Sequence, residues 1–455
     1  MKRARRNRWL AALGLALTCA SAPAAQDLTK ARELLRQALE ALQPPAPPLI
    51  ATEAALDQAL AAAAPGAVLA LDPALVYTKA LTLRQAVTLQ STVREGRMDR
   101  ATPLPSLRGG LTISGDSVTL VGVEVRHTYA GTDIVVVTGK DVTLDRVRVL
   151  GDPVKGAKRG IAANSNGNLK VLRSYIADCF TPAPGQDSQA IAGWDMAPGL
   201  LVEDSYLEAS GETVMLGGAD APEDRTPADI VFRGNTITKN PAWFGQAIVV
   251  KNLIELKNAK RVLFENNLCS YAWVQAQTGY LLVLTVRNQD GRAPWATIQD
   301  ATFRNNIWTD GAAAINILGR DDIKETREGR PVPIGTVRPS VPMQRVTIVG
   351  DTFALDPVKY AKGNTNMKAI QIGAGPIEVT LDRVTITTVS ALGAAVYFNG
   401  PLPATSLTLR DVTLPPSKYG MFGEGVSVAA SNLTATNPAW VKWTTGSTIT
   451  GVTVR

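Results

Sequence analysis

The sequence predicts an all-β fold: a single-stranded right-handed parallel β-helix of about 11–12 coils with an N-terminal capping helix. Three observations carry this reading. An eight-residue phrase recurs ten times, apolar at alternate positions and usually charged or Gly at the fourth or fifth. It reads Val-Thr-Leu-Val-Gly-Val-Glu-Val from Val118 and starts again at Val142, Leu169, Leu200, Ile230, Val262, Ala301, Val346, Val379 and Leu407, with a weaker echo from Ser447. Ahead of each octet after the first lies a second strand-like run: Asp133–Val137, Gly160–Ala163, Gln189–Ala192, Thr213–Leu216, Leu253–Lys257, Leu281–Thr285, Ala314–Ile317, Ala369–Ile372 and Ala395–Phe398. Finally, successive octets start 24, 27, 31, 30, 32, 39, 45, 33 and 28 residues apart. The shortest unit leaves almost no room for a helix, which argues against a leucine-rich horseshoe, and the irregular steps argue against a propeller.

Val, Ile, Leu and Thr dominate the runs, while Gly, Asn, Asp and Pro cluster between them as turn punctuation. One coil cannot bury its apolar side alone, but coils stacked at about 4.8 Å enclose a continuous inner column. Aligned octets place Ser174, Ser205, Asn235, Asn267, Asn306 and Asp351 in one column. Asn accepts bent backbone, and stacked amides bond to one another along the stack, so we read a structural turn ladder in preference to a row of sugar contacts.

From the N-terminus, residues 1–25 read as a secretory signal. Lys2, Arg3, Arg5, Arg6 and Arg8 form the charged region, Trp9–Ala20 the apolar region and Ala22-Pro23-Ala24 the cleavage motif. The apolar run is too short to span a membrane and no later stretch approaches that length, so a secreted or periplasmic protein without a membrane span is expected. Residues 26–48 hold an amphipathic helix at Asp27–Leu42, with Asp27 as N-cap, and the stiff linker Pro44-Pro-Ala-Pro-Pro48. The β-helix domain with its cap takes residues 49–455. It opens with a helix at Thr52–Ala64, placed to cover the exposed end of the stack, and strands at Val68–Leu71, Leu81–Leu83 and Val87–Leu89. No heptads are present, and a monomer is expected.

The chain carries a formal charge of +7, of which the signal holds five positive residues, leaving +2. No basic stripe supports a nucleic-acid partner. Outside the signal the cysteines are Cys179 and Cys269. They lie three coils apart, roughly 14 Å, beyond the reach of a disulfide. We expect two free thiols, Cys269 in the apolar column and Cys179 in a turn.

Residues 158–322 carry the longest connections, where a stacked fold usually builds a cleft. Gly185-Gln-Asp-Ser-Gln189 sets Asp187 and Gln189 before a strand, Ser210-Gly-Glu212 does the same with Glu212, and Asp220 follows. Lys251-Asn-Leu-Ile-Glu-Leu-Lys257 alternates, which predicts Lys251, Glu255 and Lys257 on one exposed face and Asn252, Ile254 and Leu256 on the other. Alignment sets Ser188, Glu212 and Lys251 in one column. Arg287, Asn288 and Gln289 end the next strand, and Arg320, Asp321 and Asp322 the one after. A surface salt-bridge ladder is the bland alternative. The functional one draws weight from Trp194, Trp243, Trp273 and Trp295 nearby, which suit a carbohydrate cleft as well as they suit packing of long loops.

Several words in this region carry a resemblance: Lys158-Arg-Gly-Ile-Ala-Ala-Asn-Ser165, Gly185–Trp194, Gly211–Asp220, Val250–Asn258, Gln277-Thr-Gly-Tyr280, Arg287-Asn-Gln289 and Ile315–Asp321. Here the chain resembles the pectate-lyase-like right-handed parallel β-helix superfamily, and within it a group of secreted bacterial proteins of unassigned activity. The resemblance implies polysaccharide chemistry: a uronan lyase, a polygalacturonase-like hydrolase or a non-catalytic glycan binder. The glycine–histidine–glycine signature of polygalacturonases is missing, since the single histidine stands in Arg126-His-Thr128.

A lyase would use Lys251, Lys257 and Arg287 as cation and base, with Asp187, Glu212 or Asp220 able to hold Ca²⁺, which prefers oxygen ligands. A hydrolase would pair carboxyls among Asp187, Glu212 and Glu255. Gln189, Trp194, Asn288 and Arg320 are the expected substrate contacts in either case. A non-enzymatic glycan-binding or surface scaffold stands as the alternative to both.

Overall fold

Alternating apolar residues, punctuated by positions that accept left-handed backbone, fold into three parallel sheets. The computed structural model describes residues 30–33, 49–93, 95–127, 132–321, 326–327, 330–331, 340–364, 366–399, 406–423, 427–431, 434–435 and 448–450. Two compact units are distinguished, Met1–Pro48 and Leu49–Arg455. In the first only the helical residues 30–33 are described, so the signal segment and most of the Asp27–Leu42 helix lie outside the described residues. The second unit is the β-helix. Among the described residues its first sheet has 14 strands, from Ala67–Ala70 to Thr448–Thr450; its second has 13, from Val76–Tyr77 to Thr434–Ala435; its third has 12, from Leu81–Leu83 to Met421–Phe422. Up to Ala313–Leu318 each sheet takes every third strand, one from each coil, and after the separate antiparallel hairpin of Thr326–Arg327 and Arg330–Pro331 the same rotation resumes. The coil is right-handed, the sense that parallel crossovers between twisted strands take almost without exception.

The octet proves to be two strands and a corner. Thr119–Val121 belongs to the first sheet and Glu124–Arg126 to the second, with Gly122 between them at φ 63°. The fifth octet residue is left-handed in all ten repeats: Gly122, Arg146, Arg173, Asp204, Gly234, Asn266, Asn305, Gly350, Arg383 and Asp411. Left-handed backbone costs an ordinary residue roughly 1–2 kcal/mol, yet three arginines accept it. The corner amide repays them by continuing the ladder: Arg146 N donates to Leu172 O at 2.8 Å, Arg173 N to Glu203 O at 2.9 Å and Arg383 N to Arg410 O at 2.8 Å.

The sixth octet residue forms the expected polar ladder. Ser174 N donates to Ser205 Oγ, Ser205 N to Asn235 Oδ1, Asn235 N to Asn267 Oδ1, Asn267 N to Asn306 Oδ1 and Asn306 N to Asp351 Oδ1, all at 2.8–3.0 Å. Inside, Phe232, Phe264 and Phe303 pack in file, and Trp308 stacks on Phe353 at 5.4 Å. Trp308 Nε1 donates to Asp351 Oδ2 at 2.9 Å, which satisfies the one polar atom of a fully buried indole.

The first helix of this unit, α1 (Glu53–Ala62), starts where Thr52 Oγ1 accepts the Ala55 amide at 3.2 Å. Its Leu56 is fully buried with Leu71 and Leu75 and closes the first coil. No helix among the described residues is long and apolar enough to cross a membrane.

One cysteine needs correction. Cys179 is not in a turn: it ends the strand Tyr175–Cys179 and is as fully buried as Cys269. Both thiols are free, and burial pushes both well above their ordinary range.

Candidate functional site

The outer face of the third sheet builds the site. Along this sheet Ile191, Val214, Ile254, Leu282 and Ile315 pair in register and point inward. The residue after each points outward, giving the column Ala192, Met215, Glu255, Val283 and Asn316. Loops on either side raise walls around it. The resulting groove of about 660 Å³ is lined by Asp187, Lys251, Asn252, Glu255, Lys257, Gln277, Tyr280, Thr285, Arg287, Gln289 and Asn316, among others.

Glu212 sits below the floor, in the turn before the strand Val214–Leu216, and is wholly buried. Gln189 Nε2 donates to Glu212 Oε2 at 2.9 Å, and Lys251 Nζ stands 3.5 Å from Oε1. Lys251 also bonds Asp187 Oδ2 at 2.6 Å. Glu255 is 5 % exposed; Lys257 Nζ lies 3.7 Å from its Oε1, and Asn252 Nδ2 donates to its Oε2 at 3.4 Å. The stem of Lys257 has its path because Gly218, at φ +100°, has no side chain. A Cβ there would stand 2.8 Å from Lys257 Cδ.

The two carboxyls divide in character. Burial drives Glu255 upward, to about 7, and the neighbouring Glu212 adds to this while Lys257 opposes it. Burial also presses Glu212 upward, but the Lys257 and Lys251 ammoniums and the Gln189 amide outweigh it and hold Glu212 below its ordinary value. The hydrogen bonding agrees. Glu212 Oε1 is met by the Lys251 ammonium only at 3.5 Å, and the adjacent Glu255 carboxyl can donate to Glu212 only when it carries a proton. Two carboxyls sharing one proton are the usual outcome when like charges are crowded.

Beneath this pair is a residue that sequence reasoning missed. Lys239 is fully buried, and its ammonium donates to the carbonyls of Ala209 (3.3 Å), Ser210 (3.0 Å), Gly211 and Asn252 (3.1 Å). Three of those carbonyls lead into Glu212 and the fourth follows Lys251, so one side chain fixes both coils. Burial lowers Lys239 to about 7 against an upward pull from Glu212. The cage of four acceptors matches the protonated form, which we take as the resident one. Thr-Lys-Asn-Pro reads as a solvated turn, and nothing in it announces a buried cation.

Of the expected residues, the structure brings together Glu212, Lys251, Glu255 and Lys257, with Asp187, Arg287 and Gln189 beside them. The exposed face is corrected: Glu212 and Glu255 are buried, and of the four only Glu212 does not line the groove. The column is also corrected, because the register Ile191–Val214–Ile254 aligns Glu212 with Gln189 and Asn252, not with Ser188 and Lys251. Pairing begins only at Ile254, so the Lys251–Lys257 alternation does not reach back to Asn252, which lines the groove.

Asn288 is fully buried and holds its own loop, accepting the Ala293 amide at 2.8 Å, so it is not a substrate contact. Neither Trp194 nor Arg320 lines the groove; Trp194 carries the Arg159 guanidinium at 4.4 Å on its ring. Trp243 and Trp273 are buried against Phe180 and Phe244, the loop-packing role. Asp220 pins the 290–292 loop through the amides of Asp290 (2.9 Å) and Arg292 (3.0 Å).

The expected Ca²⁺ donors do not fit the ion. Asp187 is the one carboxylate at the groove mouth and is bonded to Lys251, Asp220 is turned into its loop, and no three acidic, His or Cys side chains gather among the described residues. Ca²⁺ takes about six to eight oxygens.

No protein family and no curated protein matches the sequence. Solved structures do. The Dettilon tailspike protein gp208 is 12% identical over 88% of this chain with a TM-score of 0.43, and this chain spans 64% of its length. The catalytic unit of a GH87 α-1,3-glucanase from Streptomyces thermodiastaticus strain HF3-3 is 15% identical, with 89% and 70% of the two chains covered and a TM-score of 0.43. A PL6 alginate lyase in complex with a trisaccharide is 12% identical, with 86% and 85% covered and a TM-score of 0.38. Likenesses this distant leave function to be read from the groove itself.

Proposed function

We propose that this chain is a carbohydrate-active β-helix protein that cleaves an acidic polysaccharide by β-elimination in the groove of the third sheet. The supporting observation is the buried Glu212–Glu255 pair set against Lys251 and Lys257 at the floor of a groove that Arg287 also lines. In this reading Arg287 neutralises the uronate carboxylate and so acidifies C5–H. Lys257 acts as the free amine, the proton of its ammonium having passed to Glu255 3.7 Å away; it takes the C5 proton, the C5–H electron pair becomes the C4–C5 double bond, and the C4–O4 bond breaks. Glu255 gives its proton to the departing O4, and Lys257 restores it across the 3.7 Å that separates them. Glu212, kept ionised by Lys251, holds the proton on Glu255 between turnovers. No step needs a metal.

Hydrolysis is disfavoured by the same pair. Glycosidase carboxyls stand about 5 Å or 6.5–9.5 Å apart around the sugar, whereas Glu212 and Glu255 are in hydrogen-bonding contact. A second reading, non-catalytic glycan binding, is favoured by one observation: Lys251 and Lys257 each have a carboxylate partner in the groove. The charged and apolar pattern of residues 1–25 supports a secreted or periplasmic location for either.

Incubation with a panel of uronans, followed by absorbance of the unsaturated product, separates the readings. Cleavage by the wild type that Lys257→Ala abolishes supports elimination, and unchanged turnover in that variant removes Lys257 from the mechanism. Binding without any new absorbance supports the scaffold.

A further inference from the structure

The outward column that carries Glu255 continues past the groove. In register it runs Glu255, Val283, Asn316, Gln371, Tyr397, Phe422, six rungs joined by five steps. At about 4.8 Å per rung this spans roughly 24 Å. Its far end is aromatic and open. Tyr397 and Phe422 stack at 5.6 Å with ring planes 13° apart, and Tyr419 packs beside Phe422 at 5.9 Å. Phe422 is 38% and Tyr419 44% exposed. Two cations lie over these rings: Lys368 Nζ is 5.5 Å from the Tyr397 centroid and Lys418 Nζ is 4.9 Å from that of Tyr419. The interior has no use for this shelf, because the inward neighbours Val396, Phe398 and Met421 already fill the core.

We propose that Tyr397, Tyr419 and Phe422 form a distal subsite for the same acidic polysaccharide, which lies along the stack with its cleaved linkage at Glu255 and a remote sugar on the shelf. The inference rests on the groove being a uronan site. A ring face presents C–H groups to which an aromatic face is complementary. Ammoniums at the edge of such a platform select a sugar that bears a carboxylate over a neutral one. A shared column gives the two sites a fixed separation, so a chain that reaches both gains over one that fills the groove alone.

The test uses the full chain with polygalacturonate and alginate and with trimers cut from each. Phe422→Ala and Phe422→Trp are compared with the wild type for polymer and trimer affinity, and melting is recorded for each. The expected result is about a tenfold loss of polymer affinity in Phe422→Ala, unchanged trimer affinity, and recovery of polymer binding in Phe422→Trp. Lys418→Gln should lower polymer affinity with no change for trimers. Equal polymer affinity in the wild type and Phe422→Ala would overturn the distal subsite while leaving the groove reading intact. A wild type that binds no uronan would remove both. Should Phe422→Ala convert a dimer to a monomer by light scattering at unchanged polymer affinity, the shelf is an interface between copies and the proposal fails.

Discussion

Two buried polar files run through this molecule, and they obey opposite rules. At the corner between the first and second sheets, Ser174, Ser205, Asn235, Asn267, Asn306 and Asp351 repeat one bond with one geometry, each amide N–H meeting the side chain of the next coil. On the third sheet Gln189, Glu212, Lys251, Glu255 and Lys257 come from neighbouring coils without repeating anything. Charges alternate, and buried oxygens of Gln189 and Asn316 lack hydrogen-bond donors. A polar group buried alike on every rung is part of the frame. One that changes chemistry from rung to rung and leaves atoms unpaired is held for something that binds.

The sharpest way to test this contrast is to remove the residue that carries the irregular file. Lys239→Met should destabilise by about 3–5 kcal/mol, since four carbonyls lose their donor. Chemical denaturation measures it, and a loss below about 1 kcal/mol would mean that the cage is not holding the coils. Asn267→Ala should cost less, about 2 kcal/mol, by orphaning the Asn235 amide, and should leave uronan binding unaltered.

Cys179→Ser and Cys269→Ser should lower stability alike, by about 1–3 kcal/mol, because each sets a hydroxyl in a fully buried site. Unequal melting shifts would show that one of the two pockets supplies a partner. A further effect lies in pH. Glu255 is raised from 4.5 to about 7 on folding, so between those values the folded state holds a proton that the unfolded chain releases. The contribution of Glu255 is therefore complete below about 4.5 and is lost as pH rises through about 7. Relative to Glu255→Gln, the wild type should lose stability across that window, and its turnover should fall above it. Parallel stability curves for the two proteins would place the shared proton elsewhere.

The repeat made most of the fold legible. Each second strand was visible because one sheet face is buried and its alternation is strict, as in Asp133–Val137, which the structure reproduces end to end. The corner inside each octet was written in the same letters, a charged residue, Gly or Asn in fifth place. Yet Arg146 and Arg173 do not announce left-handed backbone, since a bond to the next coil is what makes it tolerable. The gathering of Glu212, Lys251, Glu255 and Lys257 was legible from coil spacing alone. Their burial was not, because it depends on walls raised by loops such as that around Gln277. Lys239 was hidden for a related reason: its partners are backbone carbonyls, which carry no sequence signature.

Because each strand bonds only to strands one coil before and one coil after, the stack behaves as a chain of nearest-neighbour couplings. Unzipping begins at a terminus and travels inward rung by rung, with an opening free energy that grows with distance from the end. The strands Gln189–Gly193, Val214–Leu216, Ile254–Leu256 and Tyr280–Thr285 that frame the groove are the fifth to eighth of twelve in their sheet. Either end can fray by several rungs, exchanging its amide hydrogens freely with solvent, before the couplings that set Glu212 against Glu255 are broken.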